Sequence, residues 1–207
     1  MAQRMSSTDT LVARHTDATY RLIIDTAVVL LERTSPSELT IRAVARQAGM
    51  SERTIFRYYR SREEFLDAVA LAVYSRLETP EPPSNLEELC GYPRELYARF
   101  EEKAGLVKAT LHNEIAVRIR EGVGQRRWRA VRDIIDARAP HCSERERRIA
   151  AANVQHYLSA SAWHYYRFYL GLTLEDTIEA AETAVRLAIG EILPKPASAR
   201  RASGRPR

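Results

Sequence analysis

The 207-residue sequence predicts an all-α fold. No strand-like alternation of useful length runs through it, and few hairpin dipeptides interrupt it. Apolar residues instead recur at three- and four-residue steps, and capping residues and glycines punctuate the segments. Composition is that of a soluble globular protein, with 45% hydrophobic and 29% charged residues. The chain is long enough for one large domain or two small ones, each with a substantial core.

Residues 1–15 are polar and unpatterned and read as an N-terminal arm. A first helix is expected from about Asp17 to Arg33, with Tyr20, Ile23, Ala27 and Leu30 on one face. The stretch TSPSE ends it. Thr40 can cap the next helix, whose apolar stripe is Ile41, Val44, Ala45 and Ala48. Gly49 stands where a helix end needs a left-handed residue, and Ser51 caps a short third helix. A fourth helix opens at Ser61 with Glu64 as a capping box and continues through Phe65, Leu66, Val69, Val73 and Leu77.

The clearest boundary is TPEPPSN at 79–85, which cannot continue a helix. Helical stretches follow near 86–90, 93–104, 105–120 and 124–139, with glycines at 91, 105, 122 and 124 between them. Two long helices finish the pattern. Ser143 and Glu146 open one that can reach Leu170, and Thr173 and Asp176 open one ending near Leu193. The tail 195–207 is too polar and Pro/Gly-rich to fold alone.

Charge is distributed unevenly. Six arginines face one glutamate between Thr40 and Arg62, and the tail from Lys195 carries five cations and no acid. Each region is net +5 while the whole chain is +5, so the remainder is net −5. Two basic regions on an acidic body suggest an anionic partner, nucleic acid ahead of a membrane surface. The longest apolar run, Ala68 to Tyr74, is far short of a membrane span. The amino terminus has no secretory apolar segment, and Cys90 and Cys142 have no metal-ligand spacing. A reducing cytoplasm and no membrane association are expected.

The segment around Gly49 reads as a helix-turn-helix. Ala45 allows close crossing, Gly49 accepts positive φ, and Ile55 faces back to the core. Arg53, Thr54, Arg57 and Tyr58 face away from Ile55, a surface suited to the major groove. The stretch Leu39–Leu66, LTIRAVARQAGMSERTIFRYYRSREEFL, closely resembles the DNA-binding signature of the TetR family of transcriptional regulators.

That resemblance implies about nine helices. It divides the chain into the arm at 1–15, a DNA-binding domain at 16–62, a connector helix with a ligand-binding and dimerisation domain at 63–194, and the basic tail. By the same resemblance Thr40 is the capping residue that meets phosphate, Arg42 reaches a base or phosphate, and Ser51 caps the reading helix. Glu52, Arg53 and Thr54 are similar to base-reading positions. Phe56 replaces a commoner Tyr and so offers thymine-methyl contact or packing. Arg57 lies on the same outward face, Tyr58 and Arg62 take phosphate-contacting places, and Tyr59 takes a core position with its hydroxyl at the edge.

In the carboxyl-terminal half, Ala180, Ala184 and Ala188 repeat every four residues, flanked by Ile178, Val185, Leu187 and Ile189. With the aromatic run WHYYRFY at 163–169, including Tyr166, they suggest a homodimer interface of two helices per subunit; an intramolecular core is the other reading. Tyr97, Phe100, Trp128, His156 and Trp163 are the candidate walls of a small-molecule effector pocket, with His156 and Trp163 on one helical face.

An enzyme is not expected. The histidines at 15, 112, 141, 156 and 164 form no metal spacing, and Gly122 and Gly124 do not make a dinucleotide loop because Arg127 holds the third-glycine place. No cofactor or metal is implied. The expected function is a homodimeric repressor that binds a palindromic double-stranded DNA operator and is released by an effector. A ligand-independent DNA-binding protein, and an all-α module with a basic patch for another anionic partner, are the alternatives.

Overall fold

The computed structural model describes residues 7–33, 39–111, 113–122 and 124–193, with side chains from residue 18 onward. Every regular element among them is helical, as the sequence predicts. The helices are α1 (Ser7–Arg33), α2 (Ile41–Gln47), α3 (Glu52–Tyr58), α4 (Arg62–Leu77), α5 (Leu86–Glu102) and α6 (Ala104–Thr110). They continue with α7 (Glu114–Glu121), α8 (Gly124–Arg138), α9 (Glu144–Tyr157), α10 (Ala160–His164) and α11 (Leu174–Gly190), a π-helical turn Tyr165–Tyr169 following α10. Eleven α-helices among the described residues exceed the nine or so implied by the resemblance: the stretches expected at 105–120 and 143–170 are each broken, while those at 86–90 and 93–104 merge into α5. The tail 195–207 and the TSPSE stretch at 34–38 lie outside the described residues.

Two compact units emerge, one of residues 1–78 and 103–123, the other of residues 79–102 and 124–207. In the first, α1 begins at Ser7 rather than near Asp17, since neither Pro nor Gly interrupts that polar stretch. It buries Ile23, Ile24, Ala27, Val28 and Leu31, while Tyr20 stays 39% exposed. Helices α2, α4 and α6 pack on α1, α3 packs on α2, and α7 packs on α4. Phe65, Leu66, Val69 and Val73 of α4, Val107 of α6 and Ile115 of α7 complete this core. Full burial of such a side chain contributes about 1.5–3 kcal/mol.

In the second unit α11 packs on α5 and α9, and α8 packs on α9. Helix α5 corrects the expected break at Gly91: it runs unbroken through Gly91 and Pro93. Proline removes one ladder bond, but Leu89, Tyr92, Pro93, Leu96, Tyr97 and Phe100 are all buried along this helix. Burial of that face outweighs the local penalty. The Tyr92 hydroxyl also donates to the Pro80 carbonyl at 2.8 Å, fastening the non-helical 79–85 segment.

The helix expected from Ser143 to Leu170 is broken too. Helix α9 ends at Tyr157, and extended Ser159 caps α10 by accepting from the Ala162 amide. Its hydroxyl donates back to the His156 carbonyl at 2.6 Å. A serine that bonds nearby backbone on both sides competes with the helical ladder. Between α6 and α7 the break comes from Asn113, whose Oδ1 accepts from the Ile115 and Ala116 amides.

Candidate nucleic-acid interface

The turn between α2 and α3 is built from its backbone upward. Gly49 has φ +67°, the left-handed region that favours glycine. The Gly49 amide donates to the Arg46 carbonyl at 3.3 Å and the Met50 amide to the Ala45 carbonyl at 2.9 Å. Those two bonds close a Schellman turn and satisfy the last carbonyls of α2. Thr40 caps α2 by accepting from the Ala43 amide at 3.1 Å. Ser51 caps α3 by accepting from the Thr54 amide at 3.1 Å.

Ile55 is fully buried and is the buried residue of α3. Glu52, Arg53, Phe56 and Arg57 stand exposed, and Thr54 and Tyr58 are half-buried. Thr54 is turned partly inward, its hydroxyl 2.9 Å from the Ser51 hydroxyl. Phe56 is 46% exposed, so nearly half of its surface is open to a partner. Arg42 and Arg46 on α2 are exposed as well. Among the described residues Arg42, Arg46, Arg53 and Arg57 have no ion pair, whereas Arg94, Arg118, Arg132, Arg147 and Arg167 are all paired with carboxylates. Four unneutralised cations on two adjacent short helices suit an anionic partner.

Arg62 differs. Its guanidinium forks onto the Glu114 carboxylate of α7, Nη1 to Oε2 at 3.1 Å with Nη2 on Oε1. That bond holds the Arg62 pKa above the ordinary arginine value. Ser61 caps α4 as expected, but Glu64 reaches the Arg60 amide at 2.7 Å instead of the Ser61 amide. Tyr59 is 2% exposed, its ring 5.4 Å from Phe65 and 5.6 Å from Tyr20. The ring is in the core as expected, but the hydroxyl is shut off from solvent rather than at the edge. Burial pushes this phenol far above the usual tyrosine range.

In the second unit three of the five predicted pocket residues come together. The Phe100 ring lies 6.2 Å from Tyr97 and 5.9 Å from Trp163, and all three are buried. The Tyr97 hydroxyl donates to the Tyr157 carbonyl at 2.6 Å. Trp128 is half-buried, and His156 is exposed with its ring against Tyr157. The shared face expected for His156 and Trp163 does not form, because the chain breaks between them at Ser159. Sequence reasoning missed Glu101, which accepts from Trp163 Nε1 at 3.2 Å and from Arg167 Nη2 at 2.6 Å. Partners more than sixty positions apart leave no local signal.

On α11 the predicted alanine strip is half-exposed at Ala180, Ala184 and Ala188, and Leu187 is 67% exposed. Ile178, Val185 and Ile189, expected to flank it, are instead buried within their own unit together with Ala181. Tyr166 is half-buried, while Tyr165, Phe168 and Tyr169 of the π turn are exposed.

A trihelical head with a Schellman turn, a buried Ile55 and a cationic outer face defines a helix-turn-helix DNA-binding class. A family model described as bacterial regulatory proteins, tetR family, matches residues 23–69, the segment that carries this head. In that segment the chain resembles the TetR-family regulators. Among solved structures it is similar to a TetR variant from Acinetobacter baumannii AYE in complex with minocycline. That likeness has 17% identity and a TM-score of 0.50, covering 82% of this chain and 93% of that one. It is also similar to a TetR transcriptional regulator from Rhodococcus sp. RHA1, at 18% identity and a TM-score of 0.45, covering 86% and 98%. No curated protein matches the chain. Among the described residues no cluster of His, Cys, Asp and Glu could hold a metal, and no helix is long and apolar enough to cross a membrane.

Proposed function

We propose that this chain is a homodimeric transcriptional repressor that binds a palindromic operator and is released by a small-molecule effector. One observation carries the reading: the outer face of α3 presents Arg53 and Arg57, without ion pairs among the described residues, around a single buried Ile55. Arginine takes guanine in a bidentate pair, and Glu52 can accept from cytosine. Arg42, Thr40, Ser51 and Tyr58 supply the flanking contacts to the backbone, and exposed Phe56 meets a thymine methyl.

One such head offers roughly 600–1,000 Å² of contact, so selective binding calls for two. The half-exposed strip of Ala180, Ala184 and Ala188 beside exposed Leu187 supports a close helix–helix dimer contact on α11, with Tyr166 beside it. A two-fold dimer would set its reading helices about 34–36 Å apart, in successive major grooves. Helix α4, which follows the head within the first unit, is the route by which an effector would change that separation. The similar structure that holds minocycline supports an effector of this general kind.

The ligand-independent reading is favoured by a different observation. Tyr97, Phe100 and Trp163 are exposed by 4% or less and pack on one another as a closed core would. A mobility-shift assay with the protein's own upstream DNA, repeated with candidate small molecules, decides between them. Retarded DNA released by one compound supports the effector reading. Retardation that no thermally stabilising compound relieves supports the other, and no sequence preference at any salt rejects both.

A further inference from the structure

Arg62 is the one arginine of the 40–62 segment with a carboxylate partner among the described residues. That partner, Glu114, is the first residue of α7, placed there by the Asn113 cap. Helix α7 is fixed to α4 by a second pair, Arg118 to Asp67 at 2.5 Å, with Arg118 also donating to the Glu63 carbonyl at 3.4 Å. Two oxygens of one carboxylate on the fork of a guanidinium present the same geometry as two oxygens of a phosphate. The pair is half-exposed, 48% for Arg62 and 43% for Glu114, so water and a competing anion reach it from outside. Exposed pairs of this kind are weak and displaceable.

We propose that Glu114 is an internal competitor for the DNA backbone: it occupies Arg62 in the DNA-free protein and is displaced by a phosphate when the head docks. This rests on the DNA-binding reading of the head and adds a residue outside the helix-turn-helix that sets its affinity. Each docked head exchanges a carboxylate for a phosphate on Arg62, so part of the phosphate attraction is spent on releasing Glu114. The start of α7 is thereby loosened on binding. Reciprocally, whatever tightens α7 on α4 weakens the hold on DNA.

The test is a fluorescence-anisotropy titration of the full chain with a short labelled duplex of mixed sequence across a series of salt concentrations. Glu114→Gln is expected to tighten binding about three- to tenfold at low salt while leaving the logarithmic salt slope nearly unchanged, because Arg62 meets its phosphate in both proteins. Glu114→Asp, which keeps the charge but shortens the reach, is expected to move part of the way. In an Arg62→Ala background Glu114→Gln should have no more than the small effect of Glu63→Gln. Glu63→Gln, which removes an acid beside Arg62 without a bond to it, should have a smaller effect. Equal gains from Glu63→Gln and Glu114→Gln, or a gain that survives Arg62→Ala undiminished, would overturn the proposal in favour of bulk charge. Wild-type binding left unaltered by Glu114→Gln overturns it alone; a wild type that binds no duplex at any salt sinks the regulator reading with it.

Discussion

The Met50 amide donates to the Ala45 carbonyl at 2.9 Å, across a turn whose centre, Gly49, holds φ +67°. That bond ends α2 and turns the chain into α3. A Cβ at Gly49 would meet no atom within 4 Å, so Gly49→Ala meets only the intrinsic cost of a left-handed backbone. The expected loss is about 1–2 kcal/mol. Urea denaturation measures it as a lowered midpoint at unchanged slope.

Neighbouring Ile55 and Phe56 should separate stability from recognition. Ile55 is fully buried, so Ile55→Ala should cost about 2–5 kcal/mol. Phe56 is 46% exposed, and Phe56→Ala should shift stability by no more than about 0.5 kcal/mol. Paired thermal melts and duplex titrations check this: Phe56→Ala is expected to weaken DNA binding with its melting temperature almost unmoved.

Glu101 joins Trp163 and Arg167 in the second unit. Glu101→Ala leaves both donors without this acceptor, at a cost of about 1–3 kcal/mol. Because Trp163 is fully buried, the same substitution should change its fluorescence, an optical readout of this unit alone.

The Ser143 box at the start of α9 predicts an acid dependence. The Ser143 hydroxyl, then its amide, hold Glu146 below the ordinary carboxylate value of 4.5. A depressed folded-state pKa stabilises above the unfolded value, and that stability fades as pH falls through the folded value. The gap between wild type and Ser143→Ala should therefore be constant above about pH 4.5 and shrink below it. Denaturation midpoints across that range provide the check.

Local rules made the head legible in the sequence. Caps at Ser51, Ser61, Ser143 and Thr173 form as expected, and at Ser143 the reciprocal bond from Glu146 forms too, whereas Glu64 turns to the Arg60 amide. Ala45, Gly49 and Ile55 take the buried or left-handed states that their chemistry suits. Long-range competition was not legible. Pro93 sits inside α5 because a buried face outweighs its missing donor, and the Tyr59 hydroxyl is enclosed beside Tyr20 on a separate helix. The Arg62–Glu114 pair spans 52 positions, with no periodicity to announce it. The break at Ser159 was local, yet a lone serine in a helical pattern is more often a solvent-facing side chain than a stop.

The most direct test of α3 as the reading helix compares Arg53→Ala with wild type on upstream DNA and on unrelated duplex. Arg53→Ala is expected to lose about 1–3 kcal/mol of preference at particular base pairs while retaining its salt slope. Preference left intact by Arg53→Ala, or a wild type that holds both duplexes equally, would contradict it.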